Sequence, residues 1–481
     1  MIAKGSSFGC SSVGAGKTVL VEFSSPNIAK PFHAGHLRST ILGNFLQNLY
    51  RATGHNVTSY NYLGDWGKQY GLLAVGFAQF GDRAKLQVEP IRHLYEVYVK
   101  ISAINKEQID AHEKDASAPT TVDDEARAYF ARMEAGDADA LKLWKEFREL
   151  SITEYTKMYA RLCVSFDVFS GESQVSDGMA AALELMEQKK LLFVNQGATL
   201  IDLEPYGKAL GKCLIKKTDG TSLYITRDVA AAKQRFDKHQ FDKMIYVVGD
   251  AQAHHFAQLF QVLKLMAYEW AGRCEHVGFG LVNGMSTRKG TAVFLDDILA
   301  EAKDVMFEIM KKNEEKFKEV EDPEAAADII GMSAVIVQDL SAKRRKNYDF
   351  DWGRMTAFEG ETGPYLQYTH SRCASIMRKA GVGIHADADV SSLTEPQAVA
   401  LCVQIAKYPA VLDEVLKTHE PVALLGYLFD LARATNSAFV VLKVKGEPDA
   451  TAKARQLLFE AARITLNNGM RMLGLKPLDR M

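Results

Sequence analysis

An apolar run, Val19-Leu20-Val21-Glu22-Phe23, breaks off at Ser24-Ser25-Pro26-Asn27. Shortly afterwards His33-Ala34-Gly35-His36 opens an amphipathic pattern, Leu37-Arg38-Ser39-Thr40-Ile41-Leu42-Gly43-Asn44-Phe45-Leu46. Strand, tight turn and helix start in that order constrain the chain more than any other stretch of it. They predict an α/β unit whose helix N-terminus is an anion site, because free amides there carry partial positive charge and a glycine lets backbone and phosphate approach closely. Two histidines flanking that glycine can donate to a triphosphate as charge builds toward pyrophosphate. In an arbitrary H-x-G-H such histidines are ordinary polar residues; the strand before and the helix after favour the phosphate reading.

At 481 residues the chain has room for two to four domains of roughly 100–200 residues each. A formal net charge of −2 gives no global attraction to nucleic acid, so an RNA partner must be held by local basic patches. Cys10, Cys163, Cys213, Cys274, Cys373 and Cys402 are scattered without zinc-ligand spacing, which predicts free thiols in a reducing compartment and no structural metal. No apolar stretch approaches the roughly 18 residues of a membrane span. The leader Met1 to Thr18 is rich in Ser and Gly, with Lys4 and Lys17 but no arginine. It is expected to be flexible and resembles neither a secretory signal nor a mitochondrial presequence. The cytoplasm is the expected compartment, mitochondria the alternative.

From Val19 to about Phe80 strand and helix signals alternate, as in the first half of a doubly wound α/β fold. Residues 81–166 read as a charged helical insertion, with the polar stretch His112 to Asp124 expected to loop out. Sheet-like segments return at Leu191–Val194, Thr199–Leu203 and Met244–Val248, interleaved with helical patterns at Ala230–Phe236 and His255–Met266. Lys311 to Glu324 reads as a solvated helix face or connector. Beyond Ala325 the pattern is helical, with Leu458, Ala462, Leu466 and Met470 at helical spacing beside Phe459, Leu473 and Leu475. The expected division is a leader over 1–18, a catalytic region over 19–324 and a helical bundle over 325–481. Gly14-Ala15-Gly16-Lys17-Thr18 is not a P-loop: Ser11 stands where that motif needs glycine, and a strand pattern follows instead of a helix.

The stretch Ser24-Ser25-Pro26-Asn27-Ile28-Ala29-Lys30-Pro31-Phe32-His33-Ala34-Gly35-His36-Leu37-Arg38-Ser39-Thr40 resembles the signature of class I arginyl-tRNA synthetases. Asn61-Tyr62-Leu63-Gly64-Asp65-Trp66-Gly67, Tyr224-Ile225-Thr226-Arg227-Asp228, Gly363-Pro364-Tyr365-Leu366-Gln367-Tyr368 and Asn468-Gly469-Met470-Arg471-Met472-Leu473-Gly474 match the family in the same order, with a flavour of its fungal and mitochondrial members. The resemblance implies an α/β fold: a Rossmann-like class I nucleotide-binding domain with a helical insertion, followed by an all-α anticodon-binding bundle. It implies ligation of arginine to tRNA-Arg through an arginyl-adenylate, with ATP as substrate, Mg²⁺ accompanying it, and a monomer as the expected state. Enzymes of this family usually carry a further N-terminal domain that touches the tRNA corner, and only the short leader precedes Val19 here.

By the same resemblance His33, His36 and Lys30 are the catalytic residues. Gly35, His33, His36, Met285, Ser286 and Arg288 contact ATP. The family's second signature, K-M-S-K-S, is degenerate here as Gly284-Met285-Ser286-Thr287-Arg288-Lys289-Gly290; Lys30 supplies the missing charge, with help from Arg288 and Lys289. Glu22, Tyr224 and Asp228 would read the arginine side chain, whose planar, permanently charged guanidinium needs carboxylates and in-plane acceptors. Tyr224 and Asp228 are four residues apart, on one side of a helical start. Asn27 and Gln252 would hold the amino and carboxylate ends. Asp228 also suits a plain helix-start role. His255 is open to helix-start packing or an adenosine contact, and Gly64-Asp65-Trp66-Gly67 to structural support of the site or direct contact with its ligands. Tyr365, Tyr368, His370 and Arg372 share one short helical segment on which tRNA bases could stack, with core packing as the competing role. Lys343-Arg344-Arg345-Lys346 fits a solvated helix face or a tRNA-phosphate contact. A non-catalytic tRNA-binding paralogue and a small H-x-G-H nucleotidyltransferase are the competing readings; the intact histidines argue against the first, the long helical C-terminal region against the second.

Overall fold

The computed structural model describes residues 1–218, 224–285, 294–379 and 384–481, with the backbone alone at Ala34, Asp177, Tyr224 and Lys316. The chain enters its main sheet at β1 (Thr18–Glu22), where residues 19–22 are all buried, as a strand covered on both faces requires. It leaves through the loop 23–33 into α1 (Ala34–Ala52) and returns as β2 (Asn56–Leu63), parallel to β1 with Tyr60 opposite Glu22. Five helices intervene before the next strand: α2 (Lys68–Phe80), α3 (Arg83–Val88), α4 (Pro90–Lys114), α5 (Thr121–Glu134) and α6 (Ala138–Arg161). Their starts follow capping chemistry: Asp82 and Asp137 accept from first-turn amides, and Pro90 occupies a position where no N–H is needed. Then come β3 (Val168–Gly171), α7 (Ser176–Gln188) and the strands β4 (Leu192–Asn195), β5 (Ala198–Asp202) and β6 (Lys212–Lys216), which form a separate antiparallel sheet. The chain rejoins the main sheet through α8 (Tyr224–His239), β7 (Lys243–Tyr246), α9 (Ala253–Leu265) and β8 (Cys274–His276).

The main sheet has the order β3-β2-β1-β7-β8, all parallel. From β1 the chain winds outward on one side through β2 and β3, then crosses to β7 and β8 on the other. The crevice at the carboxyl ends of β1 and β7 is therefore the topological switch point, where open α/β sheets bind ligands. Ser39 of α1 closes it from behind, accepting from the Ser24 amide at 2.9 Å and donating to the Val247 carbonyl at 2.7 Å.

The remainder comprises β9 (Val282–Asn283), α10 (Leu295–Lys311), α11 (Glu314–Lys318), α12 (Pro323–Leu340), β10 (Tyr348–Asp349), α13 (Trp352–Met355), α14 (Gly363–Lys379), α15 (Pro396–Thr418), α16 (Pro421–Val441) and α17 (Asp449–Met472). On α17 the expected stripe Leu458, Ala462, Leu466 and Met470 is buried, with Phe459, Leu473 and Leu475. Arg38 of α1 joins this part to the sheet. Fully buried, its Nη1 donates to the carbonyls of Gly280 (2.7 Å) and Lys346 (2.9 Å), and its Nε lies 3.4 Å from Asp339 of α12.

Several expectations change. The leader is not free: Ser11 and Gly14 donate to the carbonyls of Ala52 and Thr53, Phe8 packs on Tyr408 at 5.8 Å, and Asn468 donates to the carbonyls of Gly5 and Phe8. Only 115–120 separate α4 from α5, so most of His112 to Asp124 is helical. Lys343–Lys346 lies on the connection between α12 and β10, not on a helix face. The strand β6 had no counterpart in the sequence reading, because its lysines mask a short alternation.

Two glycines give opposite expectations. A Cβ at Gly43 would lie 2.0 Å from Cγ of Phe23, so Gly43→Ala forces α1 off the sheet and should cost about 1–3 kcal/mol, as overpacking does. Gly426, exposed inside α16, has nothing within 4 Å of its added Cβ, and Gly426→Ala should stabilise by up to ~1 kcal/mol. Thermal melts of the two variants should move in opposite directions.

Candidate active site

His33 is the N-cap of α1 and forms a capping box with His36. The Gly35 amide donates to His33 Nδ1 at 3.2 Å, and the His33 amide donates to His36 Nδ1 at 3.4 Å. Both Nδ1 atoms being acceptors, each neutral ring carries its proton on Nε2. The rings stack at 3.7 Å between centroids and 22° between planes. Burial, His33 and Lys30 hold His36 down to about 3, and burial with Lys30 lowers His33. At neutral pH the box therefore offers two neutral Nε2–H donors at a helix N-terminus. The cationic charge comes from Lys30, half-buried, with its Nζ 5.1 Å from the Tyr98 ring centroid on α4. Gly35 is exposed at the same helix start. Met285 is half-buried against the main core; Ser286, Arg288 and Lys289 lie outside the described residues. Leu295, which starts α10, donates its amide to the Phe32 carbonyl at 2.9 Å, so the chain beyond that stretch is tied to the residue before His33.

The loop that delivers these groups is held by α6. Tyr155 Oη donates to the carbonyls of Asn27 (2.8 Å) and Lys30 (2.7 Å), the Ala29 amide donates to Ser151 Oγ at 3.0 Å, and Tyr159 Oη meets Ser24 Oγ at 2.7 Å. Asn27 bridges to Gly64 at the end of β2, where a Cβ would lie 1.9 Å from Asn27 Oδ1; glycine alone leaves that space. Asp65 is a support: fully buried, it accepts from the Ser173 amide, Ser173 Oγ and Arg148 Nε at 2.7–2.9 Å, fastening the ends of β2 and β3 to α6.

Beside the box, three carboxylates converge on Tyr62. Glu22 ends β1, Asp228 lies in the first turns of α8, and Glu172 follows β3 directly. Asp228 Oδ2 is 2.6 Å from His255 Nε2 on α9, which places His255 in the pocket wall through Asp228. Glu172 Oε2 lies 3.3 Å from Arg227 Nη1. Burial pushes Glu172 up to about 7; Arg227 pulls it back, while Asp65 and Asp228 push it further. Burial also raises Glu22, opposed by Arg235 and reinforced by Asp228. Among the described residues the buried Tyr62 hydroxyl has no hydrogen-bond partner, and burial with the same carboxylates raises it well above its ordinary value. Three carboxylates facing only two guanidiniums, those of Arg227 and Arg235, describe a pocket suited to one further cation.

Of the residues expected here, Glu22 and Asp228 face one another, and Lys30, His33 and His36 form a second group at the start of α1, with Asn27 on the loop between β1 and α1. Tyr224 begins α8 one turn before Asp228, its side chain outside the described atoms. Gln252 sits exposed just before α9, beyond the carboxyl end of β7, and makes no side-chain hydrogen bond to the pocket among the described residues. Glu172 and Arg235 were missed: only a position after a strand marked the first, and nothing local marked the second.

On the helical side Tyr365 Oη accepts from Asn436 at 3.1 Å, and Arg372 Nη1 donates to the same amide group at 3.0 Å. His370 is buried against the Leu478 carbonyl and cannot stack on a base. Tyr368 is half-buried and lines a different cavity, with Met481 and Phe358. Arg372 with Lys379, Lys443 and Lys445 lines a cavity of about 370 Å³, with Phe439 in its wall. The Arg372 guanidinium carbon lies 4.3 Å from the Phe439 ring centroid.

Residues 3–352 match the family described as "tRNA synthetases class I (R), catalytic domain", and residues 366–481 match "DALR anticodon binding domain". The chain is 53% identical over 470 residues to a cytoplasmic arginine–tRNA ligase of Saccharomyces cerevisiae, covering 97% of this chain and 77% of that one. It is 49% identical over 472 residues to the mitochondrial arginine–tRNA ligase of the same yeast, covering 97% and 72%. Arginyl-tRNA synthetase of Plasmodium falciparum superposes with a TM-score of 0.81 at 27% identity, over 98% of this chain and 78% of that one. The Thermus thermophilus enzyme shares the fold at a TM-score of 0.82 and 22% identity, over 98% and 84%.

A guanidinium entering among these carboxylates favours the ionised form of Glu172, so its pKa falls on binding and a proton leaves. Since Glu172 titrates at about 7 in the free protein, affinity for a guanidinium ligand should rise with pH between about 6 and 8 and level off above. Calorimetry in buffers of different ionisation enthalpy should register the released proton, and Glu172→Gln should abolish both the release and the slope.

Proposed function

The chain belongs to the class I arginyl-tRNA synthetases, and from that premise we propose how its residues divide the work of joining arginine to tRNA-Arg with ATP. The observation that carries the reading is the capping box beside the carboxylate pocket, two sites that share the switch point of one sheet. ATP lies with its phosphates at the N-terminus of α1, near Gly35 and Met285. Nε2–H of His33 and of His36 donate to phosphate oxygens, and Lys30 with Arg288 and Lys289 balances charge as pyrophosphate departs. Any Mg²⁺ enters with ATP. Glu22, Asp228 and Glu172 take the guanidinium, with Tyr224 beside them, and Asn27 and Gln252 hold the amino and carboxylate ends. The arginine carboxylate attacks the α-phosphorus, the bond to pyrophosphate breaks, and the terminal ribose hydroxyl of tRNA then displaces AMP from the adenylate carbonyl. No protein nucleophile is required; alignment and charge stabilisation suffice.

We assign this chemistry to residues 19–324, with 81–166 as the insertion, and tRNA reading to 325–481. Helix α12 packs against both α10 and α14, so it serves both parts. Arg372, Lys379, Lys443 and Lys445 form a local basic cleft on a chain of net charge −2, which suits an RNA backbone, and Tyr365 and Tyr368 lie on the same helix as Arg372. Relatives carry both cytoplasmic and mitochondrial names; the cytoplasm is the compartment we favour, and a monomer the state. No described helix is long and apolar enough to cross a membrane.

Arginine-dependent pyrophosphate exchange in the presence of tRNA tests the assignment. Removing one preorganised donor typically costs ~10²–10³ in rate, so His33→Ala with His36→Ala should abolish exchange while arginine binding persists. Near-parental exchange in the double variant would refute the site. The cleft has its own test: Lys443→Glu with Lys445→Glu should weaken tRNA binding and flatten its salt dependence, leaving the KM values for arginine and ATP unchanged.

A further inference from the structure

Glu22 does not stand alone in its pocket. Its Oε2 lies 2.5 Å from Nη2 of Arg235, and both side chains are buried. The register of the sheet builds a cage around this pair. Glu22 on β1 is opposite Tyr60 on β2 and opposite Tyr246 on β7, so the three share one rank across the central strands. Tyr62 stands two residues further along β2, on the same face. The Arg235 guanidinium carbon lies 4.9 Å from the Tyr62 ring centroid, 5.3 Å from that of Tyr60 and 5.7 Å from that of Tyr246. Arg235 and Asp228 are seven residues apart on α8, two turns along one face of the helix. The same helix thus presents a carboxylate at its first turns and a cation deeper in.

This arrangement is odd for plain stability. A buried ion pair is often no better than apolar side chains of the same volume, and this pair is about as buried as the hydrophobic core around it. A protein guanidinium also occupies the carboxylate that a guanidinium substrate is meant to reach. On the reading proposed above, that occupancy has a use: the protein's own guanidinium takes one oxygen of Glu22, and a fixed, caged carboxylate leaves only the other for a ligand.

We propose that Arg235 is a positioning residue for amino-acid selection, which locks Glu22 from behind so that Oε1 forms a rigid end wall for the arginine guanidinium. A planar fork fits this task, because it is pre-organised and cannot lose its charge. A carboxylate free to swing would accept cations of different reach; a fixed one measures length.

The test is a double-mutant cycle on arginine KM, with ATP KM and melting temperature as controls, using the full chain. Arg235→Lys keeps a charge in the cage but loses the fork. It should fold, keep the ATP KM within twofold, raise the arginine KM by about tenfold to a hundredfold, and discriminate less between arginine and homoarginine. Arg235→Met alone leaves Glu22 unpaired and destabilises the fold, so it is also made together with Glu22→Gln, the pair of substitutions removing both charges. In the Glu22→Gln background Arg235→Met should have no further effect on the arginine KM, because Arg235 acts through Glu22. Losses that multiply across the cycle, or an arginine KM in folded Arg235→Lys within twofold of the parent, would overturn the proposal. If the parent chain itself shows no arginine-dependent exchange, the proposed function fails instead, and the two failures are distinct.

Discussion

The backbone between β1 and α1 is held in a shape its sequence does not favour, and the rest of the site depends on that. Ser24, Ser25 and Ala29 have φ of 70°, 48° and 58°, a left-handed region that costs non-glycine residues of order 1–2 kcal/mol each. Such a loop persists only when its surroundings over-determine it. Here they do: Ser24 is bonded through both backbone and side chain to Ser39, Thr40 and Tyr159, Ala29 to Ser151, and the carbonyls of Asn27 and Lys30 to Tyr155. Four of these contacts come from α6. Helix α6 is therefore part of the site around the capping box, since it fixes where Lys30 and His33 emerge.

Much of this could be read locally, and the exceptions share a cause. The run 19–23, the helix opened by His33 and the stripe on α17 all follow periods of two or 3.6 residues, which a single segment displays. The capping box was legible only as H-x-G-H; that it fixes both tautomers needed the distances from Nδ1 to the two amides. Glu172, Arg235 and Asp339 are distant in sequence from the residues they serve, and each looks like an ordinary charged residue in its own helix or turn. In the Lys343–Lys346 cluster Lys343, Arg345 and Lys346 are exposed, as a run of cations suggests, and Arg344 is the exception. Its Nη1 donates to the Gly278 carbonyl and its Nε lies 3.7 Å from Glu420, while Arg345 pairs with Asp250.

Those long-range pairs also explain how the sheet and the helical region are joined. Arg38 lies one turn beyond the capping box and reaches Asp339 on α12 and the carbonyls at 280 and 346. Burial pushes Asp339 up to about 6, against the pull of Arg38. A second joint, at the turn between α15 and α16, places His419 between Tyr50 at 2.9 Å and Glu275 at 3.1 Å. There His419 and Lys243 hold Glu275 down to about 2 in spite of burial. Buried polar pairs of this kind add little net stability but penalise misplacement strongly, since breaking one leaves an uncompensated charge. They are suited to fixing one orientation of α12, and with it β9 and the approach to Met285, relative to α1.

The same logic bears on how a chain of net charge −2 can select a cation at one end and take up RNA at the other. Charge is arranged locally. At the strand ends, Glu22, Glu172 and Asp228 face two protein guanidiniums, Arg235 and Arg227, so once Glu172 is ionised three negative charges meet two positive ones and a single charge is left to balance. On the reading proposed here, one arginine side chain supplies it. A neutral isostere would leave a buried carboxylate unpaired, and sites built around buried polar partners reject such analogues far more strongly than a missing methylene is rejected. An ammonium would bring the charge but not the planar fork needed to bridge carboxylates fixed on separate strands and helices. Selectivity then comes from the sheet register and from α8, which hold the carboxylates apart at fixed positions.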